Sequence, residues 1–186
     1  MSAYLALLLT VLSRVLPHAF HAVNWNFTAL GGSLLFFGSR IKANPATRLA
    51  IALAILIATD YYLTVFAFGY AFHPAAYLVT WIWYAAVCLI GMGLLRKPTV
   101  LRVVAGVLAS ATSFFVLVDF ALWAGSGMYP HTLAGLEACY VAALPFYRND
   151  LVSTALTAGA LFGLPVLAAR IAESLRAAQH NHTPLA

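Results

Sequence analysis

Long apolar runs separated by short polar stretches make up almost the whole chain. Between Arg48 and Arg96 the only charged residue is Asp60, and between Arg102 and Glu137 it is Asp119. The first interval has the length of two membrane spans with a break near 69–74, and the second has the length of one span and a Gly- and Pro-containing turn. This pattern predicts an all-α, polytopic membrane protein.

We predict six membrane-spanning helices and one additional short helix on the outer side. The predicted spans are 2–16, 27–42, 46–69, 75–95, 99–124 and 150–172, and the short helix covers 131–144. Pro17 and the polar stretch after it separate the first two spans, which are short enough to require tilting. The chain 1–186 is therefore expected to be one transmembrane domain with no separate extramembrane domain.

Basic residues indicate the orientation of this bundle. They cluster at alternate connections and after the last span: Arg40, Lys42, Arg48, Arg96, Lys97, Arg102, Arg170 and Arg176. Because Lys and Arg are enriched in cytoplasmic loops, six spans with both termini in the cytoplasm follow. We expect a multi-pass protein of a bacterial inner (cytoplasmic) membrane.

Composition agrees with this prediction. Hydrophobic residues make up 63% and charged residues 8% of the chain, against about 25% charged in soluble domains, so a soluble globular protein is excluded. The net charge of +5 is explained by the inner connections and does not indicate nucleic-acid binding. No phosphate-loop motif is present, so we expect no ATP site. Cys88 and Cys139 lie in apolar stretches and are interpreted as packing residues.

The candidate functional residues fall at the outer end of the predicted bundle. Asp60 is an intramembrane carboxylate, which costs about 2.5–3.5 kcal/mol to insert and therefore indicates either a site or an ion pair that fixes helix packing. Asp119 lies nearer the interface, where pairing with Arg14 or Arg148 and contact with a ligand are both open. His73, just before Pro74, either faces an outer cavity or bonds to a backbone carbonyl. The aromatic residues around it suit an interfacial belt or a pocket wall.

Several sequence blocks resemble a known family. They are Ser13-Arg14-Val15-Leu16-Pro17-His18, Asn26-Phe27-Thr28 with Gly31-Gly32, the block 129–135, and Leu144-Pro145-Phe146-Tyr147-Arg148-Asn149. In these blocks the chain resembles the small solitary cobalamin uptake proteins of the BtuM type, which are similar in fold to the S components of energy-coupling-factor (ECF) transporters.

This resemblance implies cobalamin (vitamin B12) binding in a periplasm-facing cavity, with cobalamin as the transported ligand. In the family, a histidine before the second helix, an aspartate in the third helix and a cobalt-binding cysteine line the site. His21 matches the histidine and Asp60 matches the aspartate. His73 stands where the family has the cysteine. Imidazole is a competent ligand for cobalt, so His73 is the expected axial metal ligand, whereas thiolate-dependent decyanation is not expected. The candidate ligand-binding residues are His21, Asn26, Asp60, His73, Tyr77, Tyr129 and His131.

Other functions remain open at this stage. An S-component-like transporter of another vitamin or nucleobase would keep the cavity without a cobalt ligand. A membrane enzyme acting on the ligand is less favoured, because no nucleophile and base stand at a convincing spacing, and a structural protein would need no cavity. The resemblance also implies docking on an ECF energising module, for which Ser2 and Ala6 on the first helix are the candidate small residues.

Overall fold

The computed structural model describes residues 2–19 and 27–181, which form helices without any strand. The helices are α1 Ser2–Ala19, α2 Leu30–Ser39, α3 Pro45–Tyr62, α4 Pro74–Leu94, α5 Val100–Gly125 and α6 Leu133–Asn181, with a π-helical turn, Leu63–Ala67, directly after α3. Four of the described helical segments are long and apolar enough to cross a membrane: Pro45–Ala67, Pro74–Leu94, Val100–Gly125 and Leu133–Arg176. The all-α fold and the membrane character are thereby confirmed.

The three middle spans agree with the sequence prediction to within two residues. Pro45 and Pro74 stand at the first turn of α3 and α4, where the missing N–H of proline removes no helical hydrogen bond. Thr99 caps α5, because its side-chain oxygen accepts a hydrogen bond from the backbone N–H of Arg102 at 3.3 Å. Proline and threonine at helix starts were therefore reliable signals here.

The first predicted span ends too early. Helix α1 continues through Pro17 to Ala19, because a proline in the last turn removes only one backbone hydrogen bond, that to the carbonyl of Ser13. Ser13 lies against the start of α2, where its hydroxyl accepts a hydrogen bond from the backbone N–H of Ala29 at 3.0 Å. The segment that follows, with His21 and Asn26, lies outside the described residues.

The predicted division of the last part of the chain is wrong. The short helix 131–144 and the span 150–172 are one continuous helix, α6, which contains Pro145 and Pro165. The polar residues Arg148, Asn149 and Asp150 suggested a connection, but they contain no helix-breaking residue and continue the helical turn. At about 1.5 Å per residue, the 49 residues of α6 are much longer than a bilayer core of about 30 Å.

Helix α2 forms the centre of the fold. All ten of its residues are buried, and it packs against α1, α4, α5 and α6. It is shorter than the predicted span 27–42, because residues 27–29 are not helical and Arg40 ends the helix. At about 1.5 Å per residue, α2 is about 15 Å long, half the thickness of the hydrocarbon core. It is therefore a core helix enclosed by longer ones.

Glycines allow α2 and α4 to approach until their backbones touch. A Cβ atom on Gly38 of α2 would lie 2.0 Å from the carbonyl oxygen of Cys88, and one on Gly91 of α4 would lie 2.3 Å from the carbonyl oxygen of Leu35. On the opposite side, a Cβ on Gly32 would lie 2.7 Å from the backbone nitrogen of Ala158 in α6. Small residues favour such close helix packing in membranes, and here they place α2 between α4 and α6.

We expect Gly38→Ala to destabilise the protein by about 1–3 kcal/mol or more, because the new methyl group must displace the backbone of α4. Gly93→Ala on α4 is the matched control: a Cβ there has no atom within 4 Å, and alanine is favoured over glycine in a helix. The monodisperse fraction after heating in detergent, measured by size-exclusion chromatography, checks both. Equal stability of the two variants would contradict the close contact at Gly38.

Candidate functional site

Asp60 lies at the end of α3 and is 2% exposed. Its Oδ1 atom forms an ion pair with the guanidinium of Arg14 from α1 and accepts a hydrogen bond from the Tyr84 hydroxyl at 3.3 Å. Its Oδ2 atom accepts a hydrogen bond from the Trp81 indole N–H at 2.9 Å. Asp60 therefore joins α1, α3 and α4, and the ion-pair role left open by the sequence is present.

The π-helical turn after Asp60 extends this network. The hydroxyl of Thr64 donates a hydrogen bond to the backbone carbonyl of Asp60 at 2.7 Å and lies 2.6 Å from the Tyr77 hydroxyl. Tyr77 stacks between Phe72 and Trp81, with ring centroids 5.2 and 6.0 Å apart. Such π-helical turns are frequent at functional sites, and this one contacts the aromatic side chains in the first half of α4 through Tyr77.

A cavity of about 310 Å³ lies beside Asp60 and is lined by residues of α1, α3, α4, α5, α6 and the start of α2. Aromatic side chains from two helices form one wall: Trp83 packs edge-to-face on Phe114, with ring centroids 4.7 Å apart, and donates its indole N–H to the Ser113 hydroxyl at 2.9 Å. The residues that line the cavity are Arg14, Thr28, Leu30, Asp60, Tyr77, Thr80, Trp83, Tyr84, Phe114, Phe146, Asn149 and Asp150. We call this space the central cavity.

Two buried polar atoms belonging to residues that line the central cavity lack a hydrogen-bond partner within the described part of the chain. They are Nη1 of Arg14, a donor, and Oδ2 of Asp150, an acceptor. The other oxygen of Asp150 lies 3.5 Å from the Thr154 hydroxyl, at the limit of a hydrogen bond. Buried polar groups are nearly always satisfied in proteins. The hydroxyl oxygens of Ser33, Ser110 and Thr157 also lack a partner within the described residues, but of these five residues only Arg14 and Asp150 line the central cavity.

The structure brings together only part of the set of residues predicted from the sequence. Asp60 and Tyr77 line the central cavity. His73 is exposed in the residues before α4 and does not line it. Tyr129 and His131 lie in the connection between α5 and α6, where His131 packs edge-to-face on Trp123 at 5.5 Å. His21 and Asn26 are outside the described residues, so their prediction stays untested.

Neither pairing considered for Asp119 is present among the described residues, since no salt bridge joins its carboxylate to Arg14 or Arg148. The suggested pairing of Asp119 with Arg14 is wrong, because Arg14 pairs with Asp60. The backbone carbonyl of Asp119 accepts a hydrogen bond from the Cys139 thiol at 3.5 Å. Cys88 and Cys139 are both buried, as expected of packing residues.

Sequence reasoning missed Arg14 and Asp150 as site residues. Arg14 could have been found, since a cation within the first apolar run needs a buried partner as much as Asp60 does. Asp150 was hidden by its neighbours Arg148 and Asn149, because three consecutive polar residues suggest an interfacial connection. Only the continuity of α6 places Asp150 inside the bundle.

A family described as "Family of unknown function (DUF6580)" matches residues 1–176. The chain belongs to this family. The match includes every residue of the central cavity and every described span. No curated protein and no solved structure matches the chain.

Metal binding by protein side chains alone finds little support in this arrangement. Across residues 2–19 and 27–181, no three His, Cys, Asp or Glu side chains group together in a way that could hold a metal ion. Asp60 is already engaged by Arg14, Trp81 and Tyr84. Among the described residues, the central cavity offers the buried Arg14 Nη1 donor and Asp150 Oδ2 acceptor, the polar side chains of Thr28, Thr80 and Asn149, and aromatic surface.

We expect Arg14→Met and Asp60→Asn each to destabilise the protein by about 3 kcal/mol, because each leaves a buried charge without its partner. The double variant should lose less than the sum of the two single losses, because neither charge remains. Unfolding by denaturant in mixed micelles measures the three free energies. Arg148→Met, which removes an exposed arginine, is the control and should change stability by no more than about 0.5 kcal/mol. Additive losses would show that the ion pair contributes nothing.

Proposed function

We propose that this protein binds a small polar molecule in the central cavity and carries it across the membrane. Arg14 Nη1 and Asp150 Oδ2, which have no hydrogen-bond partner among the described residues, carry this proposal, because they offer a donor from α1 and an acceptor from α6 at one cavity. Intramembrane ionisable residues commonly mark substrate pathways. Asp60 holds Arg14 in place and so serves the site as a positioning residue.

The charges of the cavity favour a cationic or N–H-rich ligand. Asp60 balances the charge of Arg14, whereas Asp150 has no cationic partner in the described residues. A positively charged ring would pair with Asp150 and stack against Trp83 or Phe114, since aromatic faces attract cations. The nucleobase or vitamin alternative considered from the sequence fits this chemistry.

The size of the cavity supports a small ligand. Pockets for drug-sized molecules range over about 300–1,000 Å³, and the central cavity, at about 310 Å³, is at the lower end. A heteroaromatic ring with a short substituent is compatible with this volume. A complete corrinoid, with its macrocycle and nucleotide loop, is far larger.

The membrane arrangement belongs to the same proposal. Six crossings with both termini cytoplasmic would place the basic connections of the chain inside and the central cavity in the outer half of a bacterial inner membrane. Since α2 spans only about 15 Å, the second crossing would depend on the non-helical residues on either side of it. Docking on an energising module through Ala6 is not supported, because Ala6 is 1% exposed and packs in the core.

We expect ring cations to stabilise the wild-type protein and Asp150→Asn to abolish the effect. The cationic probes are thiamine and pyridoxamine, adenine is a neutral N–H-bearing ring, and benzoate is an anionic ring of similar size; the readout is the midpoint of thermal unfolding in detergent. Asp119→Asn is the matched control, because Asp119 is also an intrahelical carboxylate but does not line the central cavity. The proposal fails if benzoate stabilises as well as the cations do, or if Asp150→Asn responds like wild type.

Cobalamin uptake is the second candidate function. It is favoured by the exposed His73, which lies next in sequence to Phe72 and one helical turn before Tyr77, two rings that stack with Trp81 into an aromatic surface. A corrinoid would lie on this outer surface, with the His73 imidazole bound to cobalt and the central cavity below it.

The visible absorption spectrum tests this second function. Aquocobalamin added to the purified protein should show shifted absorption bands as the His73 imidazole replaces the water on cobalt, and His73→Ala should remove the shift. His131→Ala, in the other outer connection, should retain it. If wild type and His73→Ala give identical spectra, the axial role of His73 is wrong.

A further inference from the structure

A second, larger concave space lies on the opposite half of the molecule. It is a groove of about 790 Å³ between the first half of α5 and the second half of α6. Its walls are apolar, formed among others by Val103, Val107, Phe162 and Val166. Gly159 and Gly163 deepen it, since a Cβ atom on either would meet nothing within 4 Å. These two glycines therefore serve no contact inside the described fold, unlike Gly32, Gly38 and Gly91.

The two walls of the groove differ in length. Along α5 the lining extends from Val100 to Leu108, about 12 Å, and along α6 from Leu151 to Arg170, about 28 Å, at 1.5 Å per residue. Half of a hydrocarbon core about 30 Å thick is about 15 Å. The α5 wall therefore has the length that an acyl chain in one leaflet needs, whereas the α6 wall is almost as long as a full crossing, so the charge at the end of the groove decides between a lipid and a partner helix.

The charges at one end of the groove indicate the lipid headgroup that would bind there. The groove has one charged lining residue, Arg170, and the exposed cations Arg96, Lys97 and Arg102 flank the residues Pro98 and Thr99 at the same end. The Arg102 guanidinium donates a hydrogen bond to the Lys97 carbonyl at 3.2 Å, which holds it near this end. Basic pockets between helices at the cytoplasmic side of a membrane select anionic headgroups.

We propose that this groove binds one anionic phospholipid, with an acyl chain along Gly159 and Gly163 and the phosphate at Arg170. The amphiphilic lining matches an amphiphilic ligand: apolar over the depth of a leaflet and cationic where the headgroups lie. The proposal is independent of what the central cavity binds.

The test uses the full chain purified in dodecylmaltoside and titrated with phosphatidylglycerol or phosphatidylcholine of identical acyl chains. Native mass spectrometry measures the bound fraction and thermal unfolding measures the stabilisation. One cation near a headgroup contributes a factor of about fivefold in affinity, so wild type should prefer phosphatidylglycerol by at least that factor. The preference should fall in about 1 M salt, where charges are screened within about 3 Å.

Two pairs of variants separate headgroup from acyl-chain recognition. Arg170→Gln should lower the preference for phosphatidylglycerol about fivefold, whereas Arg176→Gln, an exposed arginine on the same helix outside the groove, should leave it unchanged. Gly163→Leu should fill the groove and weaken binding of both lipids, whereas Gly93→Leu, with equally open surroundings, should not.

Three results would overturn the proposal. They are equal affinity of wild type for the two lipids, an unchanged preference in Arg170→Gln, and equal stabilisation by inorganic phosphate alone. A lowered preference in Arg170→Gln together with an unchanged one in Arg176→Gln would support it.

Discussion

Close backbone contact around α2 is the constraint on which the other features depend. Because Gly38 and Gly91 have no side chains, α2 and α4 touch directly, and a ten-residue helix becomes the buried centre of longer ones. The same shortness leaves space beyond Leu30, where α2 begins and the surrounding helices continue. The central cavity occupies this space, with Thr28 and Leu30 at its base. A longer, bulkier α2 would fill the cavity and move α4 and α6 further apart.

The two carboxylates that line the cavity illustrate different solutions to the same energetic problem. Asp60 is neutralised by Arg14 and receives two further hydrogen bonds from α4, so the desolvation of its charge is offset and three helices are joined. Asp150 keeps one oxygen without a partner in the described residues. An unpaired group of this kind lowers stability, and its presence in a buried position is understandable if a bound molecule satisfies it.

Charge placement and helix-start residues predicted α3, α4 and α5 closely, because those signals are local. The sequence predicted less well which residues form the site. Arg14 and Asp60 are 46 residues apart, and nothing local distinguishes Asp60 as partner of Arg14 from Asp119. The continuity of α6 was also hidden, since Arg148, Asn149 and Asp150 resemble a loop by composition while their backbone remains helical. The partner of Arg14 and the continuity of α6 both depend on contacts between segments that are far apart in the chain. A single sequence does not show those contacts.

The proline-free stretch of α6 between Pro145 and Pro165 carries Asp150 near one end and Gly159 and Gly163 near the other. An uninterrupted helix transmits rotation and translation along its axis with little loss, whereas prolines permit bending on either side. No proline interrupts the helical hydrogen bonds of this stretch, so Asp150 and the two glycines share one continuous backbone. They lie about 14–20 Å apart along it at 1.5 Å per residue, and α6 is therefore a common wall of the central cavity and the groove.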